Sequence, residues 1–201
     1  MPLHQIPFVG LFLTLACASY GQSGIQFLQN RGQWPPEVSF RADMPGGTAW
    51  LEHGSLLVDR YDATALEQLV HAHTHVTPER PSGSIQHHAV WLEFRGANER
   101  PTSEPLGVRP GAYNYIIGND PSHWAGNVHA FSAVLQKELY FNIDLRFRSG
   151  SDGLKYDLIL APGADPKTIA FSYQGADKVV VEPDRIVVQT SLGDLIETIP
   201  L

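Results

Sequence analysis

The sequence predicts an all-β chain, an antiparallel β-sandwich with one or two short helical turns. Two observations carry that reading. Ile143, Leu145 and Phe147 alternate with Asp144, Arg146 and Arg148, while Leu154, Tyr156, Leu158 and Leu160 alternate with Lys155, Asp157 and Ile159. Period two puts each apolar set on one sheet face, so Leu145, Phe147, Tyr156 and Leu158 are expected in the core and the charged set in solvent. Short apolar runs also recur along the chain, bounded by Gly, Pro, Asn and Asp turns, which is the spacing of a sandwich.

Taken in order, residues 25–34 open the folded chain, with Gly32 and Pro35-Pro36 ending a first strand. Residues 38–42 alternate, Pro45-Gly46-Gly47 turns, and residues 48–52 and 55–61 form a hairpin around Glu52-His53-Gly54. Residues 63–71 suit a short helix, with Thr64 and Glu67 in capping-box spacing. Residues 71–86 lose all periodicity and read as a mobile surface loop. Strand signal returns at 88–95, and a Pro-rich loop is expected at 98–110. Asp152-Gly153 suits the turn joining the two alternating strands. Residues 169–173, 178–181, 185–190 and 194–199 supply four more short strands, and the abrupt stop at Pro200-Leu201 suggests the N-terminal part of a longer polypeptide.

The N-terminus reads as an export signal over residues 1–21, leaving one sandwich domain at 22–201. Ile6 to Ala18 is apolar apart from Thr14, and no charged side chain precedes Arg31. The run is shorter than the ~20 residues that span a bilayer, so cleavage is expected rather than anchoring. Sites after Ala18 and after Gly21 compete, with the second preferred. Cys17, the one cysteine, lies in this segment; Thr14 stands where a lipobox wants Leu, which argues against acylation. The exported chain then has no thiol or disulfide and keeps the net charge of −7. That balance excludes nucleic acid as a partner, and no transmembrane segment remains after signal removal.

Several segments together resemble a known family. They are Phe27-Leu28-Gln29-Asn30-Arg31-Gly32-Gln33-Trp34-Pro35 (an F-x-x-N-x-G-Q-W-P opening), residues 88–98, the run YNYIIGNDPSHWAGNV at 113–128, Ile143-Asp144-Leu145, GLKYDLILAPGADP at 153–166, Tyr173-Gln174-Gly175-Ala176-Asp177 and Thr190-Ser191-Leu192-Gly193. This set is similar to the N-terminal domain, of unassigned function, of large exported surface proteins of the Bacteroidetes. Those proteins often carry SBBP propeller repeats, PKD or immunoglobulin-like modules and a type IX secretion or gliding-motility sorting domain. The resemblance implies a secreted or cell-surface location and brings no catalytic residues.

The candidate chemistry is sparse. His71, His73 and His75 on an extended strand would point to one side about 7 Å apart, usable for Zn²⁺ or Cu²⁺, with His87 and His88 as further donors. No Asp follows in metallohydrolase spacing and no Cys is available, so a solvated His-rich loop is the simpler reading, and no metal and no cofactor is expected. Asn119-Asp120-Pro121-Ser122-His123-Trp124 offers oxygens for Ca²⁺, but Asp120 or Ser122 capping a helical turn above a packed Trp124 is the simpler reading. Gly150-Ser151-Asp152-Gly153 is a turn, not a nucleophile elbow. Glu37, Asp43, Glu52 and Asp62 show no spacing that singles out a catalytic pair. Trp34, Trp50, Trp91 and Trp124, with Tyr113 and Tyr115, suit a sugar-binding platform or core packing, and core packing is expected. The function expected is a non-catalytic surface module, architectural or adhesive; the alternative is a carbohydrate- or metal-binding module. Its partners would be surface glycans or neighbouring domains.

Overall fold

A computed structural model describes residues 11–15, 24–74, 84–151 and 153–199, with side chains left aside at 11–15 and 69–74. The strands are β1 (Leu11–Leu15), β2 (Phe27–Gln29), β3 (Val38–Met44), β4 (Gly47–Glu52), β5 (Ser55–Tyr61), β6 (His87–Phe94), β7 (Thr102–Val108) and β8 (Tyr113–Tyr115). They continue as β9 (Ala125–Val128), β10 (Ala130–Tyr140), β11 (Ile143–Ser149), β12 (Leu154–Leu160), β13 (Phe171–Gln174), β14 (Lys178–Val181), β15 (Arg185–Gln189) and β16 (Leu195–Thr198). The fold is all-β, antiparallel and sandwich-like, as expected. Every pairing is antiparallel, in the order β13-β6-β5-β4-β3-β2-β10-β11-β12-β1-β16-β15-β14, with β7 on β10 and β8 on β9.

One long strand joins the two layers. β10 pairs with β2 at Ala130 and Phe131, then with β11 from Ala133 to Tyr140. A bulge between Gln136 and Tyr140 bends it, with Glu138 in the left-handed region at φ 51° and its N–H donating to Asp144 Oδ1 at 2.8 Å. The inner faces of β3–β6 and of β10–β12, β15 and β16 meet in a single core. Leu145 and Phe147 are 0 % exposed and Tyr156 and Leu158 1 %, so the central hairpin faces inward as its alternation requires. Phe40 meets Phe131 edge-on at 6.1 Å and Phe94 meets Tyr156 at 6.1 Å, closing the space between the layers. Gln136, fully buried, donates from Nε2 to the Glu52 carbonyl at 2.8 Å, a polar tie between layers.

Five sequence expectations need correction. The Pro-rich segment at 98–110 contains β7, which pairs with β10 from Thr102 to Val108; Pro105 is tolerated because β7 is an edge strand. The first strand is only Phe27–Gln29. The helix α1 spans Ala63–Thr74, so it runs into the expected loop, of which residues 75–83 lie outside the described residues. Its cap is Asp62, whose carboxylate accepts from the Ala65 N–H at 3.1 Å, not the Thr64–Glu67 box. The charged set of the central hairpin is not simply solvated: Asp157 is 3 % exposed, clamped by Arg146 and Arg148.

Candidate functional site

The F-x-x-N-x-G-Q-W-P segment builds one loop. Asn30 follows β2, and its Nδ2 lies 3.1, 2.9 and 2.8 Å from the carbonyls of Trp34, Pro35 and Val38. Its Oδ1 accepts from the N–H groups of Gly32 at 3.0 Å and Trp34 at 3.3 Å. Gly32 turns the chain at φ 105°, a region closed to most side chains. Gln33, buried, donates to the Gln29 carbonyl at 2.8 Å and accepts from the Arg31 N–H at 2.6 Å. Asn, Gly and Gln at this spacing therefore hold a rigid loop that presents Trp34.

Trp34 is presented to two aromatic rings and a cation. Its ring lies 5.6 Å from Trp50 and 5.3 Å from Tyr115, both near edge-to-face. Arg41 on β3 and Trp50 on β4 are register partners, and the guanidinium sits 5.2 Å from the Trp50 ring and 5.7 Å from Trp34. Two Arg41 nitrogens donate to Asp43 Oδ1, at 3.0 and 2.6 Å. The second Asp43 oxygen accepts no hydrogen bond from the described residues, and the side chain is 56 % exposed. Trp50 pairs on to Leu57 and Leu57 to Trp91, so an apolar row continues across this outer sheet face.

Tyr115 and Asp43 also border a cleft of about 650 Å³ between the β8 strand, the start of α1 and the 149–153 turn. Tyr61, Tyr113 and Glu67 share its lining. Burial, with the Asp43 charge second, pushes the Tyr61 phenol up. Burial also raises Tyr115, against the opposing effect of Arg41. Both phenols thus stay neutral near pH 7 and can donate as well as accept. Tyr113 is 44 % exposed and its hydroxyl donates to Gln26 Oε1 at 3.3 Å. Partly exposed rings beside neutral hydroxyls and one available carboxylate oxygen suit a flat, hydroxyl-rich ligand.

The expected core role for tryptophan is overturned. None of Trp34, Trp50, Trp91 and Trp124 belongs to the buried core, and Trp124 is 44 % exposed, its Nε1–H donating to the Gly118 carbonyl at 3.3 Å. Trp34, Trp50 and Tyr115 converge. The capping expectation at 119–124 is met: Asp120 Oδ1 accepts from the Ser122 N–H at 2.9 Å at the head of a 3₁₀ turn over Pro121–His123.

Of the candidate histidines, His87 and His88 do not converge. Residues 71–74 are helical rather than extended, and positions two apart on a helix are about 200° apart. The side chains of His71 and His73, and all of His75, lie outside the described residues. His87 Nδ1 lies 3.1 Å from Asp59 Oδ1, while His88 turns to the opposite side. There His88 Nδ1 meets Ser191 Oγ at 2.9 Å and the Ser191 N–H at 3.2 Å, and Nε2 meets the Gly175 carbonyl at 2.8 Å. A donor at Nε2 makes Nδ1 the acceptor for both Ser191 groups, a clamp on two turns. Among the described residues, no three His, Cys, Asp or Glu side chains group to hold a metal ion. Of the four carboxylates considered, only Asp43 borders the cleft. Asp62 caps α1, and Glu52 is raised mainly by burial, with Glu37's charge adding to it and the Ser55 hydroxyl opposing it.

One polar cluster has no signal in the sequence. Glu197 is 1 % exposed in the core, and Tyr156 donates to its Oε2 at 2.8 Å. Burial pushes its carboxyl up to about 7, against the lowering effect of the two phenols. Burial first, and Glu197's charge second, drive the Tyr156 and Tyr173 phenols far upward. Tyr173 approaches the carboxyl but its hydroxyl meets no partner in good hydrogen-bond geometry.

No curated protein matches the chain, and no solved structure does. A family model described as a domain of unknown function, DUF7948, matches residues 27–201, and its match begins at the first residue of the loop motif that presents Trp34. Spanning nearly all of the folded chain, that match places this protein in the DUF7948 family.

Proposed function

We propose that the chain is a non-catalytic, exported surface module with an adhesive role, exercised by binding surface glycans at the Trp34–Trp50–Tyr115 aromatic cluster and the cleft that Tyr115 borders. The observation that carries this reading is the use of the opening motif. Asn30, Gly32 and Gln33 spend their hydrogen bonds and backbone freedom on holding Trp34, partly exposed, against Trp50, Tyr115 and Arg41. Aromatic faces supply contact area to a sugar ring, and Asp43 with the Tyr61 and Tyr115 phenols supplies directional hydrogen bonds.

Export rests on the apolar run at residues 6–18, and no helix among the described residues is long and apolar enough to cross a membrane. The resemblance to N-terminal domains of Bacteroidetes surface proteins fits such a module at the head of a longer polypeptide. Neighbouring domains would then meet edge strand β14, where Val179 is 39 % and Val181 73 % exposed.

The test is retention of the exported protein on immobilised polysaccharides, screened as a panel. Saturable retention of the parent, weakened in Trp34→Ala, is expected. Retention that Trp34→Ala leaves intact would place the ligand elsewhere, and a flat panel would leave the architectural role alone.

A further inference from the structure

The leader contributes a strand, and its position has a consequence. β1 lies between β12 and β16, antiparallel to both. Its partners on β12 are Leu158, Asp157, Tyr156 and Lys155, opposite residues 11–14, and on β16 they are Thr198 and Glu197, opposite Thr14 and Leu15. β12 and β16 therefore run parallel to one another, and among the described residues no other strand bridges them. Cleavage at either expected site would remove residues 11–15 and leave two facing edges with unpaired N–H and C=O groups. Those edges flank Tyr156, Leu158 and Glu197, each 1 % exposed, so the gap opens directly onto the core.

We propose that the gap between β12 and β16 is a strand-acceptor site, filled after leader removal by an extended segment of a separate partner polypeptide. This rests on the reading that the leader is cleaved. The chemistry of the occupant follows from the one seated there: Leu-Phe-Leu-Thr-Leu, uncharged, with apolar residues at four of five positions. A partner segment enters antiparallel to both edges and gains main-chain hydrogen bonds on two sides at once. Its positions opposite Tyr156 and Leu158 must be apolar, because those residues belong to the core. Its position opposite Lys155, where Thr14 pairs, need not be apolar.

The experiment uses the full chain with a site-specific protease sequence replacing residues 19–23, cut after folding. The probe is a fluorescein-labelled peptide of residues 9–16, Val-Gly-Leu-Phe-Leu-Thr-Leu-Ala. The proposal expects the cut protein to lose its leader on dilution and to bind the probe saturably. The probe should restore about 5–10 °C of Tm at a hundredfold excess over Kd. The same peptide with Leu13→Pro should bind at least tenfold more weakly, because proline removes a ladder donor. Failure of the cut protein to bind the probe, with amides of residues 155–158 exchanging no faster than before, would mean the edges close on each other and overturns the proposal. Restoration by dimerisation alone overturns it as well. The intact mass of the protein exported without the inserted site separately reports whether the leader is removed, so failure of the export reading is distinguishable from failure of the site.

Discussion

Arg148 grips both oxygens of Asp157, with Nε 2.7 Å from Oδ2 and Nη2 3.1 Å from Oδ1. Arg146 reaches the same Oδ2 at 3.1 and 2.7 Å, so two cations share one nearly buried carboxylate across the β11–β12 hairpin. Although burial opposes ionisation, the two guanidiniums hold the Asp157 carboxyl below its usual range.

Removing Arg148 takes away the Asp157 Oδ1 partner and leaves Arg146 holding Oδ2 alone. Arg148→Ala should therefore cost about 1–3 kcal/mol, more than an ordinary surface change and less than loss of both partners. Phe147→Ala, one residue away on the core face, should cost about 3–5 kcal/mol. Denaturant unfolding of both variants checks the order. An Arg148→Ala loss within about 0.5 kcal/mol of zero would mean that the clamp adds nothing.

Glu197 makes stability depend on pH in the less common direction. Its carboxyl is raised from 4.5 to about 7 in the fold, so the folded state binds the extra proton. The stabilisation is fully present below pH 4.5 and is lost as pH rises through 7. Glu197→Gln keeps an acceptor for Tyr156 without the charge. It should match the parent at low pH and exceed it by about 2–3 kcal/mol at pH 8. Urea midpoints at several pH values read this directly; a parent whose midpoint does not fall between pH 5 and 8 relative to the variant contradicts it.

His88 binds turns distant in sequence, meeting Gly175 with one ring nitrogen and Ser191 with the other. His88→Ala should cost about 1–2 kcal/mol and free the Ser191 N–H. Hydrogen exchange at residues 190–193 should accelerate while the β11–β12 amides stay protected. Unchanged exchange at Ser191 would show the clamp to be dispensable.

The central hairpin was legible because its apolar and charged residues alternate without exception from Ile143 to Arg148. The tryptophan faces were not. Trp50 stands between Ala49 and Leu51, and Trp91 between Val90 and Leu92, so period two finds apolar residues on both sheet faces and cannot choose. β7 was hidden by Pro105 and Gly107, which edge strands tolerate. Alternation in β10 is blurred by buried Gln136 and by the bulge at Glu138. The opening motif was visible as a pattern, but the role of Asn30 required knowing where three carbonyls fall. Glu197 looks like any strand acid, and only the fold places Tyr156 above it.

The most direct test of the adhesive reading is the affinity of a retained glycan for the parent, Trp34→Ala and Trp124→Ala, measured by calorimetry. Trp34 stands against Trp50 and Tyr115, whereas Trp124 is tied to Gly118 at the end of the 3₁₀ turn. Trp34→Ala is expected to weaken binding by about tenfold or more, as loss of a central aromatic anchor does, while Trp124→Ala binds like the parent. Equal affinity for the parent and a folded Trp34→Ala protein would contradict it.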